Sequence, residues 1–230
     1  MITILIAILP SLVLMFIIYK QDKIEPEPPG LLAKLFFFGV ISVFPAMVLE
    51  LLIDFPITMA FGRIPILYLL VENFIGVALI EEVCKLFFLK LGSWKSPHFN
   101  YRFDGMVYAV FVSLGFAAIE NVFYLISYGA GVLFMRALLS IPAHLGFSVF
   151  MGTYYGTAKI YDAYGSPKQA FRYRMIGLLI ATLLHGFYDF TASIDNGFIT
   201  LVFFAFVIVM DVLLIIRVRS DSKNDRLIHY

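Results

Sequence analysis

Leu79-Ile80-Glu81-Glu82-Val83-Cys84-Lys85 places two adjacent carboxylates and a lysine inside an apolar run that reads as membrane-spanning. An ionisable side chain at the centre of a spanning helix costs about 2.5 to 3.5 kcal/mol on insertion scales, so three in five residues require partners, water or a function. In a helix, Glu81 and Lys85 are i, i+4 neighbours in the favoured acid-first order and can pair on one face. Glu82 sits about 100° round the axis and is left over. Among apolar helices with a second carboxylate beside it, Glu82 is expected to hold its proton more tightly, which makes it a candidate acid or base. The bland alternative is a structural ion pair, which leaves one carboxylate unexplained.

Composition sets the class. The chain is 61% hydrophobic and 14% charged, with a mean hydropathy of +0.92. That is too little polar surface for a soluble globule and too many long apolar runs for a single core. The predicted fold is an all-α polytopic transmembrane bundle. A net charge of +1 gives no reason to expect a nucleic-acid partner. The single cysteine, Cys84, excludes an internal disulfide and a thiol metal cluster. It reads as a small apolar side chain.

Runs of roughly 20 apolar residues can each cross about 30 Å of hydrocarbon. Seven spans are expected: Met1 to Tyr19, Leu31 to Ile53, Ile64 to Leu89, Asp104 to Tyr128, Val132 to Thr157, Met175 to Ile194 and Phe198 to Ile216. The first lacks a basic leader and a cleavage site, so it reads as an uncleaved anchor. Lys20 to Gly30, with Pro26, Pro28 and Pro29, reads as a loop. Asp54 and Pro56 are expected to end the second span, and whether Pro56 to Arg63 adds a re-entrant piece or an eighth span is left open by the sequence. Trp94 and Tyr101 suit the headgroup region. Residues 1–216 then form one transmembrane domain and 217–230 a charged cytosolic tail.

Orientation follows from the cations. Of 17 Lys and Arg residues, 14 fall in the first, third and fifth loops and the tail, and the opposite side holds only Arg63. The positive-inside rule places the C-terminus in the cytosol and the N-terminus outside. A multi-pass cell-membrane protein with an odd number of spans is expected.

Four spans carry polar groups at depth. The fourth has Glu120 and Asn121 after a run of small residues. The fifth has a stripe at i+4 spacing, Arg136, Ser140, His144, Ser148, Gly152 and Gly156, which is expected to face protein; Gly152 and Gly156 form a close-packing pair. The sixth has His185 and Asp189 at i, i+4, Asp189 orienting His185. A tight turn at Gly129-Ala130-Gly131 folds the fourth and fifth spans into a hairpin, so Glu120 is level with about Ser140 and can pair with Arg136. Depth poses a difficulty. On these boundaries Glu81 and Glu82 lie roughly 12 Å from the level of Glu120. Asp104 reads as a helix N-cap. Glu50, Glu72 and Asp211 read as helix contacts without an assigned role.

In their order and spacing, these motifs resemble the PrsW family of bacterial intramembrane proteases, related to the CAAX-prenyl protease and bacteriocin-processing (CPBP) superfamily. Glu81-Glu82-x-x-Lys85 resembles its first motif. Phe116-x-x-x-Glu120-Asn121 resembles the second, with Phe103-Asp104-Gly105-x-x-Tyr108 as a companion. Arg136-Ala137-Leu138-Leu139 followed by His144, and His185-Gly186-x-Tyr188-Asp189, resemble two histidine motifs. Ala109 departs from the glycine of the family pattern. The resemblance implies a peptidase making the first cut in a single-pass anti-sigma factor, which starts a stress response. Glu81, Glu82, Glu120, His144 and His185 would form its site in a polar cavity among spans three to six, supported by Lys85, Asn121, Arg136 and Asp189.

Two chemistries follow. Either Glu81 or Glu82 activates water while His185 or His144 stabilises the oxyanion or protonates the leaving amine. Or zinc is held by His144, His185 and Glu120 with another glutamate as base. No His-Glu-x-x-His segment is present, so the metal-free version is preferred and no cofactor is expected. The competing functions are a proton-coupled transporter, for which no inverted repeat is visible, and a noncatalytic docking protein.

Overall fold

The computed structural model describes residues 2–228; Met1, the expected start of the first span, and His229 and Tyr230 of the expected tail lie outside the described residues. No strand element occurs among the described residues, only one isolated bridge between Tyr101 and Leu227. Seven continuous helices run through the described residues: α1 (Ile2–Tyr19), α2 (Pro29–Phe61), α3 (residues 65–93), α4 (Asp104–Tyr128), α5 (Ala130–Ala163), α6 (Pro167–Ala192) and α7 (Gly197–Lys223). All but α3 are individually long and apolar enough to cross a membrane. Helix α3 is broken into shorter stretches by a π-helical segment, Glu72–Leu79, yet its backbone runs on without a loop.

Several boundaries differ from the sequence reading. Asp54 and Pro56 do not end the second span, because α2 continues through both to Phe61. Pro56 removes one ladder donor, but Asp54 takes a bond from Thr58 Oγ1 at 3.3 Å within the same helix. The stretch 56–63 is therefore the last turns of α2 and a turn, not a re-entrant piece or an eighth span. Helix α3 ends at Ser93 rather than Leu89. Helix α6 begins eight residues before the predicted Met175, at Pro167 in the first helical turn, where a missing N–H costs nothing. Helix α7 begins at an Asn196 cap whose Oδ1 accepts from the amides of Phe198 and Ile199.

Helix α4 is the axis of the bundle. In its most apolar window 61% of residues are buried, against 22% in α1, α2 and α7, whose outer faces are left for lipid. Small residues let its neighbours approach. A Cβ added to Gly156 would lie 2.0 Å from the Arg102 carbonyl oxygen, and one on Gly152 would lie 2.5 Å from Met106 Cα. The close-packing pair in the fifth span is thus pressed against the start of α4.

One end of the bundle is knotted together. Ser222 Oγ donates to Gln21 O at 2.5 Å, Arg102 Nη2 to Asp221 Oδ1 at 2.9 Å, the Phe103 amide to Asp225 Oδ1 at 2.8 Å and the Ile228 amide to Asn100 O at 2.6 Å. The α1–α2 loop, the α3–α4 loop and the chain's end therefore share one face. Asp221 and Ile228 are buried, so what the sequence suggested as a plain charged tail is packed as far as residue 228.

Candidate active site

Two π-helical segments shape the approach to the centre. Glu72–Leu79 ends two residues before Glu81, and Arg136–Ser140 ends four before His144. The second precedes Pro142, whose ring would crowd the Leu138 carbonyl in a regular α-helix; a wider turn relieves it. The first presses Phe74 against α6, where a Cβ added to Gly186 would lie 2.6 Å from the Phe74 ring. Gly186 is thus the residue that lets His185 sit this close to α3.

Lys85 is the hub. Its Nζ donates to Glu81 Oε2 at 2.9 Å, to Glu82 Oε1 at 2.8 Å and to His144 Nδ1 at 3.3 Å, and it stands 4.1 Å from the centroid of the Phe116 ring. Three ammonium protons meet three acceptors. The sequence reading paired Lys85 with Glu81 alone. Here Glu82 is not left over: at i, i+3 it also reaches Lys85, and its Oε1 faces His185 Nδ1 at 2.9 Å. Its Oε2 is buried without a partner.

Because His144 Nδ1 accepts from Lys85, its Nε2 carries the proton and donates to Glu120 Oε2 at 3.1 Å. Glu120 Oε2 also accepts from Arg136 Nη2 at 2.8 Å, the pair expected from the hairpin. Arg136 Nε donates to Asn121 Oδ1 at 2.7 Å, and the guanidinium lies 3.7 Å from the centroid of the Tyr124 ring. Asn121 Nδ2 donates in turn to Ala7 O in α1 at 2.6 Å. His185 is different. Its Nδ1 faces Glu82 and its Nε2 faces Asp189 Oδ2 at 3.1 Å, so both nitrogens are placed to donate, the posture of an imidazolium. Phe147 stacks on its ring at 4.7 Å.

The structure thus brings together all nine residues singled out in the sequence, from α3, α4, α5 and α6. The expected depth mismatch is not found, since Lys85 and His144 link Glu81 to Glu120 through hydrogen bonds; the extension of α3 to Ser93 moves its midpoint towards Glu81 and accounts for roughly 4 Å of the difference. The network forms one wall of a cavity of about 590 Å³. Glu81, Glu120, Arg136, His144, His185 and Asp189 line it; Glu82, with no exposure, lies behind. Asn73, which the sequence reading missed, also lines the cavity, as do Glu50, read there as a helix contact without a role, and Tyr188, named only as part of a histidine motif. Glu50 could have been found, since a carboxylate within a spanning segment marks function by default.

Comparison with known protein families matches residues 27–216 to the family described as PrsW family intramembrane metalloprotease. The chain is 34% identical over 217 residues to Protease PrsW of Oceanobacillus iheyensis, covering 94% of each chain. It is 32% identical to Protease PrsW of Bacillus subtilis, covering 84% of this chain and 83% of that one. With Protease PrsW of Clostridioides difficile it shares 33%, covering 90% of this chain and 85% of that one. No solved structure matches. Fold, site and relatives define a membrane-embedded protease. The chain belongs to the PrsW family.

The family description implies a metal ion, and carboxylates with imidazoles are donors that zinc accepts. The donors that come within 4.8 Å of one another are those of Glu81, Glu82 and His144, not the set His144, His185 and Glu120. Lys85 Nζ hydrogen-bonds to all three, so a fixed ammonium stands where the ion would. His185 has both nitrogens turned to carboxylates. As arranged, these residues do not fit a metal.

Proposed function

We propose that the protein cleaves a single-pass membrane substrate, an anti-sigma factor by the family resemblance, with a water activated by Glu81 and no metal. The observation that carries this reading is the hydrogen-bonded network of Glu81, Glu82, Lys85, Glu120, His144 and His185 along one wall of a cavity within spanning helices. Between the paired glutamates, Glu81 is the base. It lines the cavity, whereas both oxygens of Glu82 are buried and one is held by Lys85 and His185. Lys85 holds Glu81 aimed through its Oε2. Water attacks the scissile carbonyl as its proton passes to Glu81, and His185, anchored through Nδ1 to Glu82, transfers its Nε2 proton, held by Asp189 until then, to the leaving amine. Glu120, fixed by Arg136 and His144, adds a second carboxylate on the same wall. The cytosolic placement of the C-terminus follows from the cation distribution.

The test is cleavage of a single-span substrate by the full chain reconstituted in vesicles. Glu81→Gln is expected to lower the rate by about 10² to 10⁴ while substrate association and folding persist. Stripping with a transition-metal chelator that spares calcium and magnesium should leave the rate unchanged. Turnover surviving in Glu81→Gln would remove the base from this reading; activity lost on stripping and restored by zinc would overturn the metal-free chemistry.

A further inference from the structure

A second group of buried acids lies far from this centre. Asp22 and Glu27 in the α1–α2 loop and Asp104 at the first residue of α4 are 5%, 3% and 0% exposed, and one oxygen from each lies within 4.8 Å of the other two. Asp104 is not the N-cap expected from the sequence. As the first residue of the helix its side chain reaches backwards, and Oδ2 accepts from the amides of Asn100 and Tyr101 at 3.0 and 2.7 Å. That fixes the carboxyl with Oδ1 free. Asp22 Oδ2, Glu27 Oε2 and Asp104 Oδ1 are all buried without a hydrogen-bond partner.

An independent side chain points into the same place. Tyr108, one turn along α4 from Asp104, has no exposure, its hydroxyl makes no hydrogen bond, and it lies against the Glu27 carboxyl. Three carboxyls and a hydroxyl therefore gather in one buried place, and each carries an oxygen without a hydrogen-bond partner. Nor is there a cation beside them. Among the described residues none of the three acids is in an ion pair: Arg102 is engaged by Asp221, and the further charges bearing on the cluster, Glu25 and Asp225, are acidic. Three carboxyls buried together with no cation beside them are unfavourable as bare carboxylates and need positive charge.

We propose that Asp22, Glu27, Asp104 and the Tyr108 hydroxyl form a binding site for a hard divalent cation of the calcium class. The donors are all oxygen, which selects calcium, magnesium or manganese over zinc or copper. Calcium takes oxygens at 2.3 to 2.6 Å, so ligands on opposite sides of it stand about 5 Å apart, in keeping with the spacing here. The ion would clamp the first loop to the start of α4. Asp104 is 16 residues from Glu120 on the same helix, roughly 24 Å, so the site is structural and independent of the proposed hydrolysis.

Full-length protein in detergent, stripped with a chelator, is titrated with calcium, magnesium or manganese chloride while thermal unfolding is followed and bound calcium is counted by equilibrium dialysis. One ion per chain is expected, with an unfolding temperature that rises with cation concentration. Asp22→Asn and Glu27→Gln should each weaken binding at least tenfold. Tyr108→Phe, which removes only an unbonded hydroxyl and keeps the ring in the core, should weaken it several-fold in a folded protein, so the proposal remains testable if the acid variants do not fold. No bound ion, or titrations unchanged in Tyr108→Phe and the acid variants alike, would overturn it. So would an unfolding temperature that climbs as the pH falls from 7.5 to 5 yet ignores all three cations, because protons would then be what fills the cluster.

Discussion

At the scale of single residues, Lys85 decides whether the centre holds together. It is 2% exposed and shared by two glutamates and a histidine. Removing it leaves two buried carboxylates without their cation, and breaking a buried pair in this way costs about 3 to 5 kcal/mol. Lys85→Met should lower unfolding stability by that amount in detergent denaturation, and a loss below about 1 kcal/mol would mean water already screens the glutamates. Much of this was legible in the chain. The i, i+4 spacings of Glu81 with Lys85 and His185 with Asp189, and the hairpin that sets Arg136 beside Glu120, are local geometry that a sequence carries. The sharing of Lys85 with Glu82 and His144 was not, because it depends on side-chain reach across helices. The buried acids were hidden for a similar reason: Asp22 and Asp104 are neighbours only after two helices have been laid between them.

At the scale of elements, irregular backbone does the positioning. Both π-helical segments directly precede residues of the centre, and an apolar periodicity cannot reveal where a helix takes a wider turn. The same blindness misplaced the ends of α2 and α3. Where α3 meets α6 the fit is tight. Gly186→Ala would put a methyl 2.6 Å from the Phe74 ring and 3.0 Å from its Cα, so the helices must part. Overpacking of this kind costs about 1 to 3 kcal/mol. The substitution should lower the melting temperature and reduce cleavage through displacement of His185; unchanged values for both would show that Phe74 swings aside freely.

At the scale of the whole molecule, the end of the chain belongs to the fold. Truncation after Lys223 would remove Asp225 from the Phe103 amide, Arg226 O from the Arg102 amide and Ile228 from Asn100. At about 0.5 to 1.5 kcal/mol per hydrogen bond, a loss of about 2 to 4 kcal/mol is expected, read as a lower unfolding midpoint. Full stability in the truncated chain would make the docked end an ornament. The sequence reading gave 217–230 as a charged cytosolic tail and did not reveal this docking, since acids and bases look alike in sequence whether they meet water or each other.

The bond from Asn121 to the Ala7 carbonyl, beside the turn that Pro10 loosens, ties α1 to the Arg136–Glu120 pair. Fusing a tag or topology reporter ahead of α1 therefore pulls on a strut of the cavity wall, and a fusion at the other end presses on the docked segment 224–228. Neither end is a neutral handle; an affinity label for purification sits better in an exposed connection such as Tyr164-Gly165, between α5 and α6.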